Sequence, residues 1–562
     1  MNTIYVCKVS NSTVVIPRKV AVDFFNVQSN SETSNINICH RSNPRYFKII
    51  GVQQVENYYQ WNSSLNTFLS ENNDSISDNC LLLFEKLQRS FCVKTIQNSD
   101  AKYSVLQELF DENEEHLIMS AYIDKQPTNI KTFPKNYHII LTAIRTKPFL
   151  LLAGISGTGK SRIVRELAFK SCPKCLQDKD GTTPGNYCMI EVKPNWHDST
   201  ELIGFYSNIS KGFQFKKFTK FLVKAKMFPK VPFFVCLDEM NLAPVEQYFA
   251  EILSIIETRK HPKKEDGSSN NELIKTGVIV ESQYFKKLEY KDAEGNEHVK
   301  CNMSDKEWYE HFFDESNFSE DIKQQIETYK YERTLIEQGL TLPDNVIIIG
   351  TVNMDDTTHQ FSRKVIDRAM TIEMNGGNLS EMFGGSKNLE YITDAAEQEK
   401  WQKSFSHPFV TADEVLEYYP DKAEQIKNQV VDALEKINKA LKGTPFEVSY
   451  RVLNELTIMV GVMMSGQESD EELKNIINQA VDNILLMKIL PRIEGDVEMF
   501  SLSKEFKNQN NITHDNRLEW LMALAPDIAT DSDTTAQHPT AKDKIKEMID
   551  RLNNQGFTRF WP

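Results

Sequence analysis

Residues Gly154-Ile155-Ser156-Gly157-Thr158-Gly159-Lys160-Ser161 fit the pattern G-x-x-x-x-G-K-[ST] at every fixed position. The chemistry of such a loop is phosphate binding. Its glycines let backbone N–H groups turn inward around a polyphosphate, and the helix that follows adds the positive end of its dipole. Lys160 supplies a point charge to the phosphates, and the Ser161 hydroxyl is placed to ligate Mg²⁺. Gly154, Ser156, Gly157, Thr158, Gly159, Lys160 and Ser161 are therefore candidate ligands of a nucleoside triphosphate.

Three further segments carry groups that such a site needs. Val231-Pro232-Phe233-Phe234-Val235-Cys236-Leu237-Asp238-Glu239 is an apolar strand ending in two carboxylates. Asp238 is expected to hold Mg²⁺, directly or through water, and Glu239 to activate or orient the attacking water. Asn345 to Asn353 reads as a second buried strand ending in an amide, and Asn353 can position water beside the γ-phosphate. In Phe361 to Ala369, Arg368 lies where an arginine could reach a neighbouring subunit's nucleotide; a surface salt bridge is the plainer alternative. Ser449-Tyr450-Arg451 opens a later helix. Arg451 could reach the nucleotide of its own subunit, or be an exposed arginine at a helix start.

The elements that must position these groups are legible around them. Phe149-Leu150-Leu151-Leu152-Ala153 reads as a buried strand entering the loop. Arg162 to Lys170, with Ile163, Val164, Leu167 and Ala168, reads as the helix leaving it. From Tyr137 to about Met374 strands and helices alternate, the mark of an α/β domain with a parallel sheet. A polar stretch from about His261 to Leu342 reads as an insertion projecting from that domain. Within it Asp292 to Asn296 is expected to turn between Phe285–Tyr290 and His298–Lys300. After about Leu389 the chain reads as mainly helical, with Asp531 to Lys544 a flexible break. Residues 1 to about 60 alternate in short strand-like runs (Thr3 to Val9, Thr13 to Ile16), with a Ser/Asn-rich loop at 28–38. Asn62 to about Ile118 reads as mostly helical, with apolar residues at Leu81, Leu82, Phe84, Leu87 and Phe91.

Length allows several domains with large cores. No apolar run is long enough to cross a bilayer, and Met1 to Val15 lacks the pattern of a secretory signal. Nine scattered cysteines suit a reducing cytoplasm. A net charge of −14 excludes nucleic-acid binding over the whole surface. Residues 1–50 differ, with six basic residues (Lys8, Arg18, Lys19, Arg41, Arg45, Lys48) against Asp23 and Glu32. Phe24, Phe25, Tyr46 and Phe47 are interleaved with them, as on a base-stacking surface, or on any small β-rich domain with a solvated basic face. Cys172, Cys175, Cys188 and His197 are either four zinc ligands or thiols at a helix end. Trp196 and Tyr206 either contact substrate or pack. The aromatic end, Phe557 to Pro562, is expected to dock on the protein's own fold or on a neighbour.

The order of these parts resembles the AAA+ ATPases, and most closely the dynein-related branch that includes McrB-type restriction subunits. The matching segments are Val192 to Tyr206, Leu237 to Glu257 and Gly350 to Arg368. The resemblance covers Lys131 to Met374 firmly and reaches Asp496 more loosely. The group's signature M-N-x-x-D-R falls on Val352-Asn353-Met354-Asp355-Asp356-Thr357; Asn353 and Asp356 match, while Val352 and Thr357 depart from it. McrB uses GTP, so this departure leaves ATP and GTP both open.

The resemblance implies an α/β fold: an AAA+ P-loop parallel sheet with a C-terminal helical lid, preceded by a small α+β N-terminal domain. The expected bounds are 1–130 for the N-terminal domain, 131–380 for the nucleotide core with its 261–342 insertion, and 381–562 for the lid and tail. It further implies a ring, a hexamer, with nucleotide at subunit interfaces. A separate McrC-like nuclease would be the partner, with DNA read through the N-terminal domain; this chain shows no nuclease core of its own. The leading expectation is an NTP-driven motor of a modification-dependent restriction system in the cytoplasm, with Mg²⁺ as cofactor. A MoxR-like protein-remodelling ATPase and a slow nucleotide-gated sensor are the alternatives.

Overall fold

The computed structural model describes residues 130–178, 180–209, 212–261, 274–291, 297–313, 333–354, 361–374, 389–466, 468–503, 507–508, 513–528 and 539–561. Before residue 130 it describes Phe25, Cys80 and the strands and helix named below, with some of their side chains. The chain divides into two compact units, Met1–Gln126 and a larger one beginning at Pro127.

The first unit is a sheet whose described strands run, edge to edge, Val15–Pro17, Tyr58–Trp61, Asn43–Val55, Thr33–His40, Phe91–Ile96, Leu81–Lys86, Thr3–Lys8 and Leu117–Met119. One helix, Ser64–Glu71, accompanies them. Two expectations are corrected here. Among the described residues of 62–118 the helical reading holds for that helix and fails at Leu81-Leu82-Leu83-Phe84, a strand with every side chain buried. A short apolar run buried on both faces carries no periodicity that separates strand from helix. The Ser/Asn-rich stretch is not all loop either, since Thr33–His40 alternates buried Ile36 and Ile38 with polar neighbours along a strand. Phe25 is a core residue rather than a stacking surface. Its ring meets Trp61 at 5.5 Å and Phe84 at 5.3 Å between centroids. Arg18, Lys19, Arg41, Asp23, Phe24 and Glu32 lie outside the described residues.

The second unit is built on five parallel strands: β1 Phe149–Gly154, β2 Tyr187–Glu191, β3 Phe233–Asp238, β4 Val346–Asn353 and β5 Met370–Glu373. They lie in the order β2-β3-β4-β1-β5. Their near-continuous apolar sequences follow from burial on both faces. Along β1 the two faces alternate: Leu150 and Leu152 join one core, Phe149, Leu151 and Ala153 the other. The first core is covered by α1 (Lys135–Thr146) and α2 (Lys160–Ser171), and the second by α3 (Lys217–Met227) and α4 (Ala250–Ile256). Each fully buried Leu or Ile there contributes roughly 1.5–3 kcal/mol.

The C-terminal region is helical and shares the first core with the sheet. Its main helices are α5 Ala423–Leu441, α6 Tyr450–Met463, α7 Asp470–Ile484 and α8 Ala541–Gln555. The α/β class, the parallel sheet and the helical C-terminal region are thus all present. A break at 531–544 is corrected at its end: α8 starts at Ala541, capped reciprocally by Thr540 and Asp543, while 531–538 lie outside the described residues. The aromatic end docks on its own fold. Phe557–Arg559 pairs with Glu494–Asp496, and Phe560 is buried.

Within 261–342 the expected hairpin forms, Lys287–Lys291 pairing antiparallel with Glu297–Cys301; its turn lies outside the described residues. The stretch does not simply project. Phe285, Trp308, Tyr309, Leu335 and Leu340 are fully buried in the second core, beside the sheet.

Candidate functional site

Parallel strands present their carboxyl ends on one edge of a sheet, and loops there collect ligands. The candidate residues sit on that edge. Gly154 ends β1, Asp238 ends β3 and Asn353 ends β4, with Asn353 in register with Gly154. β4 lies between β1 and β3, so the loop and the acidic strand flank it.

The loop after β1 turns on two left-handed glycines, Gly157 at φ 84° and Gly159 at φ 82°, and Gly159 caps α2. No other atom lies within 4 Å of where a Cβ would stand at either position, so conformation rather than crowding demands glycine there. The loop itself is open, with Ile155 55% exposed. Lys160 is buried inside it. Its ammonium donates to the Gly154 carbonyl at 3.0 Å and the Ile155 carbonyl at 2.7 Å, and lies 3.5 Å from Thr158 Oγ1. The charge therefore sits in the mouth of the loop, where an anion would meet it.

Next to it runs a chain of hydrogen bonds. Ser161 Oγ donates to Asp238 Oδ1 at 2.5 Å, and Thr351 Oγ1 donates to the same oxygen at 2.8 Å. The Glu239 N–H donates to Thr351 Oγ1 at 3.0 Å, and Asn353 Nδ2 donates to Glu239 Oε1 at 3.1 Å. Asn241 Nδ2 donates in turn to the Asn353 carbonyl at 3.1 Å. Glu239 adopts a left-handed backbone, φ 51° and ψ 51°, a conformation that costs a non-glycine residue about 1 kcal/mol or more. That turn separates the two carboxylates. Asp238 faces Ser161 and Glu239 faces Asn353. An oxygen-only set of hydroxyl and carboxylate at the end of the loop suits Mg²⁺, which prefers few protein ligands plus phosphate and water. Ser161 and Asp238 fit that role.

Thr351 was not singled out by sequence reasoning. The signal was present: it is the one hydroxyl in the buried run Val346-Ile347-Ile348-Ile349-Gly350-Thr351-Val352, and a buried hydroxyl needs partners. Asp355, Asp356 and Thr357 lie outside the described residues.

The two arginines are placed apart from this chain of bonds. Arg368 follows the short helix Arg363–Ile366 and precedes β5; its guanidinium reaches only the Lys364 carbonyl at 3.4 Å among the described residues. Arg451 donates to Glu257 Oε2 at 3.0 Å and to Asp367 Oδ2. It is brought to the neighbour of Arg368, not to the phosphate loop. A nucleotide contact from Arg451 requires release of those carboxylates.

Cys172, Cys175 and Cys188 are buried, and among the described residues no three His, Cys, Asp or Glu side chains converge as a metal site. Burial pushes Cys172 and Cys236 up to about 12 and Cys188 up to about 11. Thiols so protonated are poor nucleophiles. Alkylation of the folded protein, followed by peptide mapping, should label exposed Cys301 and spare Cys172, Cys188 and Cys236 until denaturant is added. Rapid labelling of Cys172 in the native protein would contradict this burial. Trp196 likewise packs, edge to face on Tyr248 at 5.3 Å, while Tyr206 is half exposed on the hairpin formed by Gly204–Ser207 and Gly212–Phe215.

Comparison with known proteins adds the following. Residues 405–557 match a family described as a domain of unknown function (DUF8727). A search of curated proteins finds no match. Among solved structures, the chain is similar to a protein assigned as an ATPase from Cytophaga hutchinsonii, at 12% identity, covering 76% of this chain and 97% of that one, with a TM-score of 0.33. It is also similar to the N-terminal domain of Helicobacter pylori LlaJI.R1, at 17% identity, covering 21% of this chain and 98% of that one, with a TM-score of 0.18. At those scores neither likeness bears on what this chain does. Among the described residues no helix is long and apolar enough to cross a membrane.

Proposed function

We propose that this chain hydrolyses a nucleoside triphosphate, ATP or GTP, and works as an McrB-like motor subunit of a modification-dependent DNA defence system. The observation that carries the hydrolytic part is the continuous set Ser161–Asp238–Thr351–Glu239–Asn353 beside the Lys160 loop. A loop that only bound nucleotide would need neither a second carboxylate nor an amide holding it. The McrB-like part rests on the sequence resemblance alone.

In this reading backbone N–H groups of Gly157 to Ser161 and the Lys160 ammonium bind the β- and γ-phosphates. Ser161 and Asp238 would hold Mg²⁺, which neutralises phosphate charge as it develops. Glu239 accepts a hydrogen bond from the attacking water, and Asn353 fixes the direction of that carboxylate. Arg368, which meets no carboxylate among the described residues, stabilises transition-state charge at the site of a neighbouring copy in a ring. DNA would be engaged through the Met1–Gln126 unit, and cleavage would belong to a separate nuclease.

Lys160→Ala should weaken nucleotide binding by about 10- to 100-fold, since a charge-assisted hydrogen bond contributes about 1.5–3 kcal/mol. Titration with a fluorescent ATP or GTP analogue measures it; undiminished binding contradicts the phosphate role. The wider reading is tested by phosphate release with and without modified duplex DNA. Stimulation by DNA supports the defence motor. Stimulation by protein substrates instead, with no response to DNA, removes it in favour of a remodelling ATPase.

A further inference from the structure

The backbone around Arg368 is gripped from the C-terminal helical region by one buried ammonium. Lys488 is fully buried and sits on a π-helical turn, Leu485–Ile489, that continues α7. Such turns are rare and widen the helix at one point, which here places Nζ between two backbone carbonyls. Nζ donates to the Asp367 carbonyl at 2.7 Å and to the Ala369 carbonyl at 2.9 Å, and lies 2.9 Å from Glu455 Oε2. These are the residues on either side of Arg368. The ammonium thus donates to both carbonyls while its charge is balanced by the Glu455 carboxylate.

Glu455, on α6, is itself buried. Its other oxygen meets Lys147 at 2.7 Å, in the residue pair that leads into β1 and the phosphate loop. Lys147 also meets Glu257 at 3.0 Å, just past α4, and Arg451 bridges Glu257 to Asp367. Arg492 adds a guanidinium 3.6 Å from Asp367 Oδ1. The network therefore joins α6, the π-turn, the entry to β1 and the end of α4 at the residue before Arg368.

Taking an ammonium and a carboxylate out of water is costly, and apolar residues of similar volume would often be at least as stable. A charge network kept at that cost, and ending on the two carbonyls that flank one arginine, is better explained by geometry than by stability. We propose that Lys488, held by Glu455, is a positioning residue for Arg368, fixing through its backbone where the guanidinium is presented to a neighbouring copy's nucleotide. The proposal rests on the reading of Arg368 as a residue acting in trans.

Mixed assemblies test it. Lys488→Met should lower kcat by about 10- to 100-fold, the loss expected when a catalytic group is misplaced by about an ångström. Nucleotide Kd should be unchanged. Mixing Lys488→Met chains with Glu239→Gln chains should restore hydrolysis, because the second chain presents a correctly held Arg368 to the intact site of the first. A folding defect would not be rescued in this way. Glu455→Gln, which keeps shape and removes the partner charge, should give the same pattern and serves if Lys488→Met does not fold. Rescue of Arg368→Ala by mixing, without rescue of either network variant, overturns the proposal and leaves the role of Arg368 standing. Failure of Arg368→Ala itself to be rescued removes both. Wild-type kcat in folded Lys488→Met also overturns it.

Discussion

Arg368→Ala is expected to lower kcat by about 10³- to 10⁵-fold, the range over which an arginine supplied to a transferring phosphoryl group acts. Nucleotide binding should stay within reach of the wild type, because Arg368 makes no contact with the phosphate loop of its own chain among the described residues. The origin of the effect is electrostatic. Charge accumulates on the phosphoryl oxygens only as the transition state forms, so a guanidinium placed there lowers the barrier without tightening the ground state. The distinguishing measurement is mixing. Arg368→Ala chains carry an intact Ser161, Asp238 and Glu239, and Glu239→Gln chains carry an intact arginine. An assembly of the two should regain part of the activity that neither has alone. Absence of any regain would place the arginine in its own subunit's site or outside the reaction.

Glu239→Gln is expected to lower turnover by about 10²- to 10⁴-fold, as removal of a positioned base does. Binding should persist, since Lys160 and the loop are untouched. The amide oxygen can still accept from Asn353 Nδ2, now at 3.1 Å from Glu239 Oε1, so the side chain keeps its place while losing its charge. The variant should therefore hold nucleotide and accumulate as the assembled, nucleotide-bound state. Retained turnover within about tenfold of wild type would assign the base elsewhere.

What could be read in the sequence, and what could not, divides along physical lines. The loop, the β3 carboxylates and the β4 amide were legible because each is a contiguous run in which the chemistry lies next to the strand that carries it. The hairpin at 287–301 was legible for the same reason. Leu81–Lys86 and Phe91–Ile96 are strands where the sequence reads as helical, and in the first the burial of all four residues Leu81 to Phe84 erases the alternation that marks a half-exposed strand. Sequence leaves Phe25 open between a stacking aromatic and a residue of a small β-rich domain, and its packing on Trp61 and Phe84 places it in the core. The grip on Arg368 lies beyond any local pattern. Lys488 and Asp367 are separated by 121 positions, and nothing in Leu485-Leu486-Met487-Lys488-Ile489 alone says that its lysine is buried. The Thr351 hydroxyl falls between these cases, locally visible as a polar residue in a buried strand but silent about its two partners.

Hydrolysis of a nucleoside triphosphate is proposed for the site formed by Lys160, Ser161, Asp238 and Glu239. Steady-state phosphate release by the purified chain, with Mg²⁺ and with ATP and GTP compared side by side, tests it most directly. Saturable release is expected with at least one of the two nucleotides, lost in Glu239→Gln although that variant still binds. No release with either nucleotide, or release that is undiminished in Glu239→Gln, would contradict it.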